Sequence, residues 1–220
     1  MSNTCIVLSA FNEAGTVGSI VKRLKDSGYF VLVVDDGSVD NTFSIAQENG
    51  ADVIILNENN LGKGSSLRKG FDYLIKNQND FSCVISMDAD GQHDPEDVTS
   101  LVNEIAKGYD LVIGNRMNDI KNMPFLRRVT NNIMSSVISF KAKTNIPDSQ
   151  CGFKALSKDL LLKLDLKSLR YEIDSEIILK SAKLKAKIGS VSVKTIYERE
   201  KSSINPIIDT LRFLRFIITV

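Results

Sequence analysis

The chain has no tryptophan, one histidine, three cysteines and four prolines in 220 residues. Cys5, Cys83 and Cys151 are odd in number and far apart, and no C-x-x-C pair or zinc spacing joins them. That excludes a disulfide framework and a zinc site of the usual kind. Cys5 and Cys83 lie in apolar, strand-like runs, where a thiol serves as a small hydrophobe. An excess of one charge is also lacking. With 28 Lys+Arg against 27 Asp+Glu, the formal net charge is +1 and gives no footing for nucleic-acid binding. No run reaches the roughly 18–20 apolar residues that span a bilayer. "MSNTCIVLSAFNE" has no basic region followed by the apolar core of a secretion signal. A reducing cytoplasm is the expected location. Common nucleotide motifs are missing as well. No G-x-G-x-x-G follows the first strand, "NLGKGSS" lacks the upstream glycine of a Walker loop, and "SAFNEAG" is not the glycine-rich loop expected of a nucleotidyltransferase.

What is present is an alternation of strand and helix patterns. "TCIVLSA", "FVLVVDD", "ADVIILN", "SCVISMD" and "DLVIGNR" are short apolar runs. Between them lie segments with helical spacing, such as Val17, Ile20, Val21 and Leu24, or "PEDVTSLVNEIAKG" with Pro95 at the first helical position. Asp40 stands where it can cap the second helix. Continuously apolar strands separated by helices predict a mainly parallel sheet covered on both faces, an α/β fold. After Arg116 the pattern changes to a long helix over residues 123–145, a turn, strand and helix over 148–164, a helix over 171–187 and a β-like segment after it. No internal repeat or low-complexity segment appears.

In such a sheet, ligands bind beyond the carboxyl ends of the strands. Here those ends read "SAFNE", "VVDDGS", "ILNENN", "SMDADGQ" and "IGNR". Asp88 and Asp90 are the sharpest pair. Two apart at a strand end, they project to one side. With Gly91 loosening the turn and Gln92 adding an amide oxygen, they can hold Mg²⁺ or Mn²⁺, hard cations that take carboxylates and substrate phosphates. The competing reading is plain turn and helix capping, which is also the reading for Asp94 and Glu96. Asp35 and Asp36 repeat the pattern one strand earlier, as acceptors for a base or ribose or as turn residues. Lys63, among glycines at a helix start, suits a diphosphate or is a solvated loop lysine. Arg116 ends the fifth strand, where it can meet an anion or simply lie on the surface. His93, the chain's one histidine, reads as a hydrogen-bonded loop residue, with metal ligand or base as the alternative.

Taken together, "SAFNE", "VVDDGSVDNT", "GKGSSLRKG", "MDADGQHDPE", "GNR", "SQCGFKAL", "YEIDSE" and "YEREKSSINP", in that order over residues 4–206, resemble the family 2 glycosyltransferases, most closely the dolichyl/polyprenyl-phosphate sugar synthases. The resemblance implies a GT-A fold over residues 1–203, a nucleoside-diphosphate sugar donor and a divalent metal on Asp88 and Asp90, with Gln92 as third ligand. It carries donor contacts onto Ala10, Phe11, Glu13, Asp35, Asp36, Lys63, Asp88 and Ala89. Where the family commonly reads Pro-Thr-Tyr-Asn-Glu, this chain has Ser9-Ala10-Phe11-Asn12-Glu13, so Phe11 keeps a stacking face without a hydroxyl.

The reaction the resemblance implies is inverting, with the acceptor attacking C1 of the sugar as the nucleoside diphosphate leaves. A lipid phosphate acceptor is already ionised near neutral pH, since phosphomonoesters have a second pKa of about 6. It needs cations to position it, and Arg116, Arg127, Arg128, Arg199 and Lys201, with Ser202, are the supply. A hydroxyl acceptor needs a base instead, for which Asp148 is the candidate. Residues 204–220 form the expected C-terminal amphipathic helix, with Ile207, Leu211, Leu214, Ile217 and Ile218 on one face. It is suited to a membrane interface, or else to packing on its own domain or a second subunit. A polyprenyl-phosphate acceptor places the protein peripherally on the cytoplasmic face of a membrane, with a separate membrane subunit or homo-oligomer as possible partner. Two other readings stand beside it: a soluble family 2 enzyme acting on a glycan hydroxyl, and a non-catalytic nucleotide-sugar-binding protein.

Overall fold

The computed structural model describes residues 3–78, 80–118 and 123–196, together with Phe213, Phe216 and Ile217. Seven strands form one sheet: β1 (Thr4–Ala10), β2 (Phe30–Asp35), β3 (Val53–Leu56), β4 (Cys83–Asp88), β5 (Leu111–Asn115), β6 (Lys154–Ser157) and β7 (Ile188–Ser192), in the order β3-β2-β1-β4-β6-β5-β7. β3, β2, β1 and β4 run parallel, as do β5 and β7, while β6 is antiparallel to both of its neighbours. The expected mainly parallel α/β sheet is therefore present, with one reversed strand inside it. The helices are α1 (Val17–Asp26), α2 (Thr42–Glu48), α3 (Lys63–Asn77), α4 (Val98–Ala106), α5 (Phe125–Ala142), α6 (Lys158–Leu161) and α7 (Ile173–Lys183).

The central strands are apolar because both faces are covered. Ile6, Val7 and Leu8 of β1, Val31 to Val34 of β2 and Val84 and Ile85 of β4 have no exposed surface. Each such side chain contributes about 1.5–3 kcal/mol on burial. β3 differs from the sequence expectation. Its residues are half-buried or exposed because it is the sheet's edge and has a neighbour on one side only. Gly70 of α3 shows how closely the helix layer sits: a Cβ there would lie 2.5 Å from Val7 Cγ1. Burial also explains the cysteines. It pushes the Cys5 thiol up to about 12 and that of Cys151 to about 11, which leaves them as inert hydrophobes.

Two boundaries follow local chemistry. Asp94 precedes a 3₁₀ turn (Pro95–Asp97) that leads into α4, and its carboxylate accepts from the Glu96 N–H at 3.1 Å. That is the helix-start role expected for Asp94 and Glu96. Asp40 lies two residues before α2 rather than at its cap, yet it accepts from Thr42 N at 3.0 Å and from Ala14 N at 3.1 Å. It thereby ties the loop after β1 to the start of α2.

Of the expected tail helix, Phe213 is buried in the main core, and Phe216 and Ile217 pack against it. Lys141 of α5 donates to the Ile217 carbonyl. These three residues sit on their own domain; Ile207, Leu211, Leu214 and Ile218 lie outside the described residues. Among the described residues no helix is long and apolar enough to cross a membrane.

Candidate active site

The strand order turns around β1: the chain lays β2 and β3 on one side of it and β4 on the other. That is the switch point at which open α/β sheets bind ligands. Register fixes what stands there. Ala10 pairs with Asp35, and Ser9 with Asp88. Asp35 and Asp88 therefore flank β1 one residue apart in register, two strand spacings or about 10 Å from each other.

On the β2 side, Asp35 is 1% exposed. Its Oδ1 accepts from Ser38 N at 2.8 Å, while its buried Oδ2 has no partner among the described residues. A buried acceptor left open is costly unless something arrives to fill it. Phe11, 42% exposed, supplies an aromatic face in the neighbouring loop. That loop is rigid, since Asn12 Oδ1 accepts from Val39 N and Asn12 N donates to Ser38 Oγ. The half-buried Glu13 accepts from Thr16 Oγ1 at 3.1 Å and donates its own N–H to Thr42. Ala10 and Ala89 are buried, with their carbonyls accepting from Asp36 N and Thr16 Oγ1 respectively.

Asp36 departs from the expected donor contact. Its Oδ1 accepts from Asn57 Nδ2 at 2.7 Å and Leu61 N at 3.0 Å, and its Oδ2 from Gly62 N at 2.7 Å. Both oxygens are spent on the loop that leads into α3, so Asp36 positions Lys63. Lys63 does not stand open as a phosphate-binding lysine either. Its Nζ lies 2.7 Å from Asp88 Oδ1, 3.0 Å from Asp88 Oδ2 and 3.0 Å from Asp174 Oδ2. The N–H of Ser65, in the first turn of α3, is taken by the Leu169 carbonyl at 3.0 Å. Burial opposes the lysine's charge, but Asp174 and Asp88 outweigh it and hold Lys63 firmly protonated.

Asp174 in turn receives Lys154 Nζ at 2.5 Å, and Lys154 also donates to the Cys151 carbonyl. Lys154 is fully buried and Asp174 nearly so. The motifs "SQCGFKAL" and "YEIDSE" contain these two residues, yet no local pattern assigns either a role. The available signal was a charge where the pattern demanded apolar residues: a lysine in the strand "KALS" and an aspartate opening a buried helix.

Asp88 and Asp90 are brought together as expected. Burial works against the charge of Asp88, but Lys63 and then His93 more than offset it, leaving the carboxyl well below its usual range. Asp90 goes the other way, pushed up by burial and by the charge of Asp88. Asp90 Oδ1 accepts from Gln92 N at 2.9 Å, and Gln92 Oε1 accepts from Arg127 Nη2 at 3.3 Å. α5 thereby reaches the acidic turn, and Arg128 lies exposed on the same helix. His93 is buried against Phe153, with ring centroids 5.1 Å apart. Its Nε2 is 3.6 Å from Asp88 Oδ2, within ion-pair reach but too long for a good hydrogen bond. Among the described residues no three His, Cys, Asp or Glu side chains form a metal cluster. The acidic turn offers two carboxylates and an amide.

Arg116 and Asp148 meet, though not as acceptor ligand and base. Asp148 is wholly buried, and it accepts from Arg116 Nε at 2.7 Å, Nη2 at 3.0 Å and the backbone N at 3.2 Å. Burial raises its pKa, but Arg116 outweighs burial and lowers it. A depressed, doubly bonded carboxylate without solvent access makes a poor base. Arg116 is itself only 4% exposed. The pair ties the end of β5 to the segment before Cys151. Asp148→Asn is expected to destabilise the protein by about 3–5 kcal/mol, because it leaves a buried guanidinium short of its counter-charge. Chemical denaturation at neutral pH measures this. The sign with pH follows: the carboxylate's contribution is full above its unfolded value of about 3.9 and is lost as pH falls through the lower folded value. The gap between variant and wild type should therefore close in acid. Arg199, Lys201 and Ser202 lie outside the described residues.

Comparison with known proteins identifies the family and the fold. The family model described as glycosyl transferase family 2 matches residues 5–165. The UDP-N-acetylglucosamine–dolichyl-phosphate N-acetylglucosaminyltransferase of Methanococcus voltae is 31% identical, over 87% of this chain and 85% of its own. The polyprenol monophosphomannose synthase of Mycolicibacterium smegmatis is 30% identical, over 76% of this chain and 66% of its own. In fold, the chain is similar to glucosyl-3-phosphoglycerate synthase of Mycobacterium tuberculosis, crystallised with Mn²⁺, UDP and phosphoglyceric acid. The TM-score is 0.75 at 20% identity, covering 99% of this chain and 76% of that one. With a GT-A-like sheet, acids gathered at its switch point and a family match over most of its length, the chain belongs to the family 2 glycosyltransferases.

Proposed function

We propose that this glycosyltransferase moves a sugar, with inversion, from a nucleoside-diphosphate sugar to a polyprenyl or dolichyl phosphate. The observation that carries the donor half is the pairing across β1. An unfilled buried oxygen of Asp35 beside Phe11 stands on one side, and Asp88 and Asp90 on the other, about 10 Å away. Asp35 suits a base N–H or ribose hydroxyl, Phe11 a base's face, and the acidic turn a diphosphate bridged by a divalent cation.

The residues present fit Mg²⁺ or Mn²⁺. Asp88 and Asp90 are hard oxygen donors, and the unfavourable charge of Asp90 next to Asp88 is what a cation relieves. Asp88, Asp90 and Gln92 would hold the ion, which when bound supplies Lewis-acid stabilisation of the charge growing on the leaving diphosphate. The chain's own groups orient the rest. Lys63 fixes Asp88, and Arg127 fixes the Gln92 side chain while adding positive charge where an anionic acceptor would approach.

The acceptor reading is supported by the relatives named for dolichyl-phosphate and polyprenol transfer. The engagement of Asp148 with Arg116 also supports it, because the candidate base for a hydroxyl acceptor is occupied. An acceptor of this kind places the protein at a membrane surface. The test is a donor panel of GDP-mannose, UDP-glucose and UDP-N-acetylglucosamine with Mn²⁺ or Mg²⁺, run with polyprenyl phosphate in detergent and with buffer alone. Label from one donor should appear in an organic-extractable, phosphate-linked sugar only when lipid and metal are both present. Transfer to a soluble glycan with no lipid product would support the hydroxyl-acceptor enzyme instead. Donor binding without any turnover would support the non-catalytic reading.

A further inference from the structure

Asp88 already has a cation on it. Lys63 Nζ spans both of its oxygens at 2.7 and 3.0 Å, and the same ammonium lies 3.0 Å from Asp174 Oδ2, whose other oxygen holds Lys154. Four charges, two buried and two partly buried, thus form a chain, Lys154–Asp174–Lys63–Asp88, that is neutral as a whole. Asp90 adds one further negative charge beside it, only partly offset by His93 and Lys63. A divalent ion arriving alone would turn that single negative charge into a single positive one, next to a lysine that burial keeps from being screened. Arriving with a diphosphate, the same ion is compensated.

We propose that Lys63 is a built-in surrogate cation that occupies Asp88 until metal and nucleotide arrive together. The inference rests on the metal-dependent donor reading above and adds a coupling to it. The two-carboxylate geometry makes the exchange inexpensive. Lys63 can withdraw from Asp88 while keeping Asp174, and Asp174 is itself held in place by Lys154. No buried charge is stranded on either side of the exchange. A lysine that only braced the fold would need one carboxylate, and its removal would loosen the site for every ligand. A surrogate predicts the opposite sign for the bare metal.

The test measures free Mn²⁺ by electron paramagnetic resonance on the full chain, wild type and Lys63→Met, alone and with UDP or GDP. Without nucleotide, the variant should bind Mn²⁺ about tenfold or more tightly than wild type, because a repelling charge is gone and Asp88 is released. The tightening produced by UDP or GDP should be smaller in the variant than in wild type, since less repulsion remains for the diphosphate to cancel. Lys63→Gln repeats the charge removal should the Met variant fail to fold. Equal or weaker Mn²⁺ binding by a folded variant, in a protein whose wild type binds Mn²⁺, overturns the surrogate role and leaves the metal reading standing. Failure of wild type and variant alike to bind Mn²⁺ under any of these conditions overturns both.

Discussion

Asp90→Asn is expected to lower turnover about 10³-fold while leaving the fold as stable as before or slightly more so. The loss follows from removing one of the two charges proposed to hold the cation on the leaving diphosphate. Metal stabilisation of several kcal/mol in the transition state corresponds to about three powers of ten in rate. The stability half follows from the environment of Asp90. Its ionised form is disfavoured by burial and by Asp88, so a neutral side chain relieves repulsion. Asn keeps an oxygen to accept from Gln92 N, the hydrogen bond that shapes the turn. Asp88→Asn should behave differently. Its negative charge is favoured by Lys63 and His93, so its loss should reduce melting temperature as well as rate. Thermal melts in chelator and in Mn²⁺ with UDP or GDP separate the two. Asp90→Asn should match wild type in chelator and lose most of the upward shift that Mn²⁺ and nucleotide together induce. An Asp90→Asn protein that retains near-wild-type turnover would falsify the assignment of the acidic turn as the metal seat.

The sheet was legible because its signal is local. Apolar runs such as "CVISMD" and "FVLVVD" can only be buried strands, and where they stop is where the charges begin. The pattern alone puts Asp35, Asp88 and Asp90 on one edge of the sheet. What could not be read was which charges answer one another. Asp35 and Asp36 are adjacent and chemically identical, yet one keeps an unfilled oxygen at the site while the other is consumed by the backbone of Leu61 and Gly62. Lys63 and Asp174 are 111 positions apart in sequence, and their pairing depends on α7 docking beside the start of α3. A strand is legible within residues 148–164, but the reversed direction of β6 and its place between β4 and β5 were equally hidden, because its four residues carry no alternation. Long-range closure of this kind leaves only an indirect mark in sequence: a charge such as Lys154 in a place that should be apolar.

Gly152→Ala is expected to cost turnover about 10²-fold or more with little change in overall secondary structure, a large effect for a single methyl group. Gly152 packs its bare Cα against the centre of the charge network. A Cβ there would fall well inside contact distance of Asp88 Oδ2 and Lys63 Nζ, and 3.0 Å from Asp88 Cγ. The backbone has little freedom to give way. The Gly152 carbonyl accepts from Ser86 Oγ at 2.9 Å, and the next carbonyl, that of Phe153, accepts from Gly114 N at 2.9 Å. The methyl must therefore displace the Asp88 carboxylate, the Lys63 ammonium or both, and a misplacement of about 1 Å at such groups costs on the order of 10²-fold in rate. Two readouts keep this distinct from general destabilisation. The circular dichroism spectrum and the melt should stay cooperative, because the hydrophobic core around Cys151 and Phe153 is untouched. Mn²⁺ affinity in the presence of UDP or GDP should fall together with the rate, because two of the three nearest atoms, Asp88 Oδ2 and Cγ, belong to the proposed metal ligand. A variant with normal Mn²⁺ binding and a tenfold or smaller loss of turnover would show that Asp88 and Lys63 can move without consequence, and their close fit against Gly152 would then be packing alone.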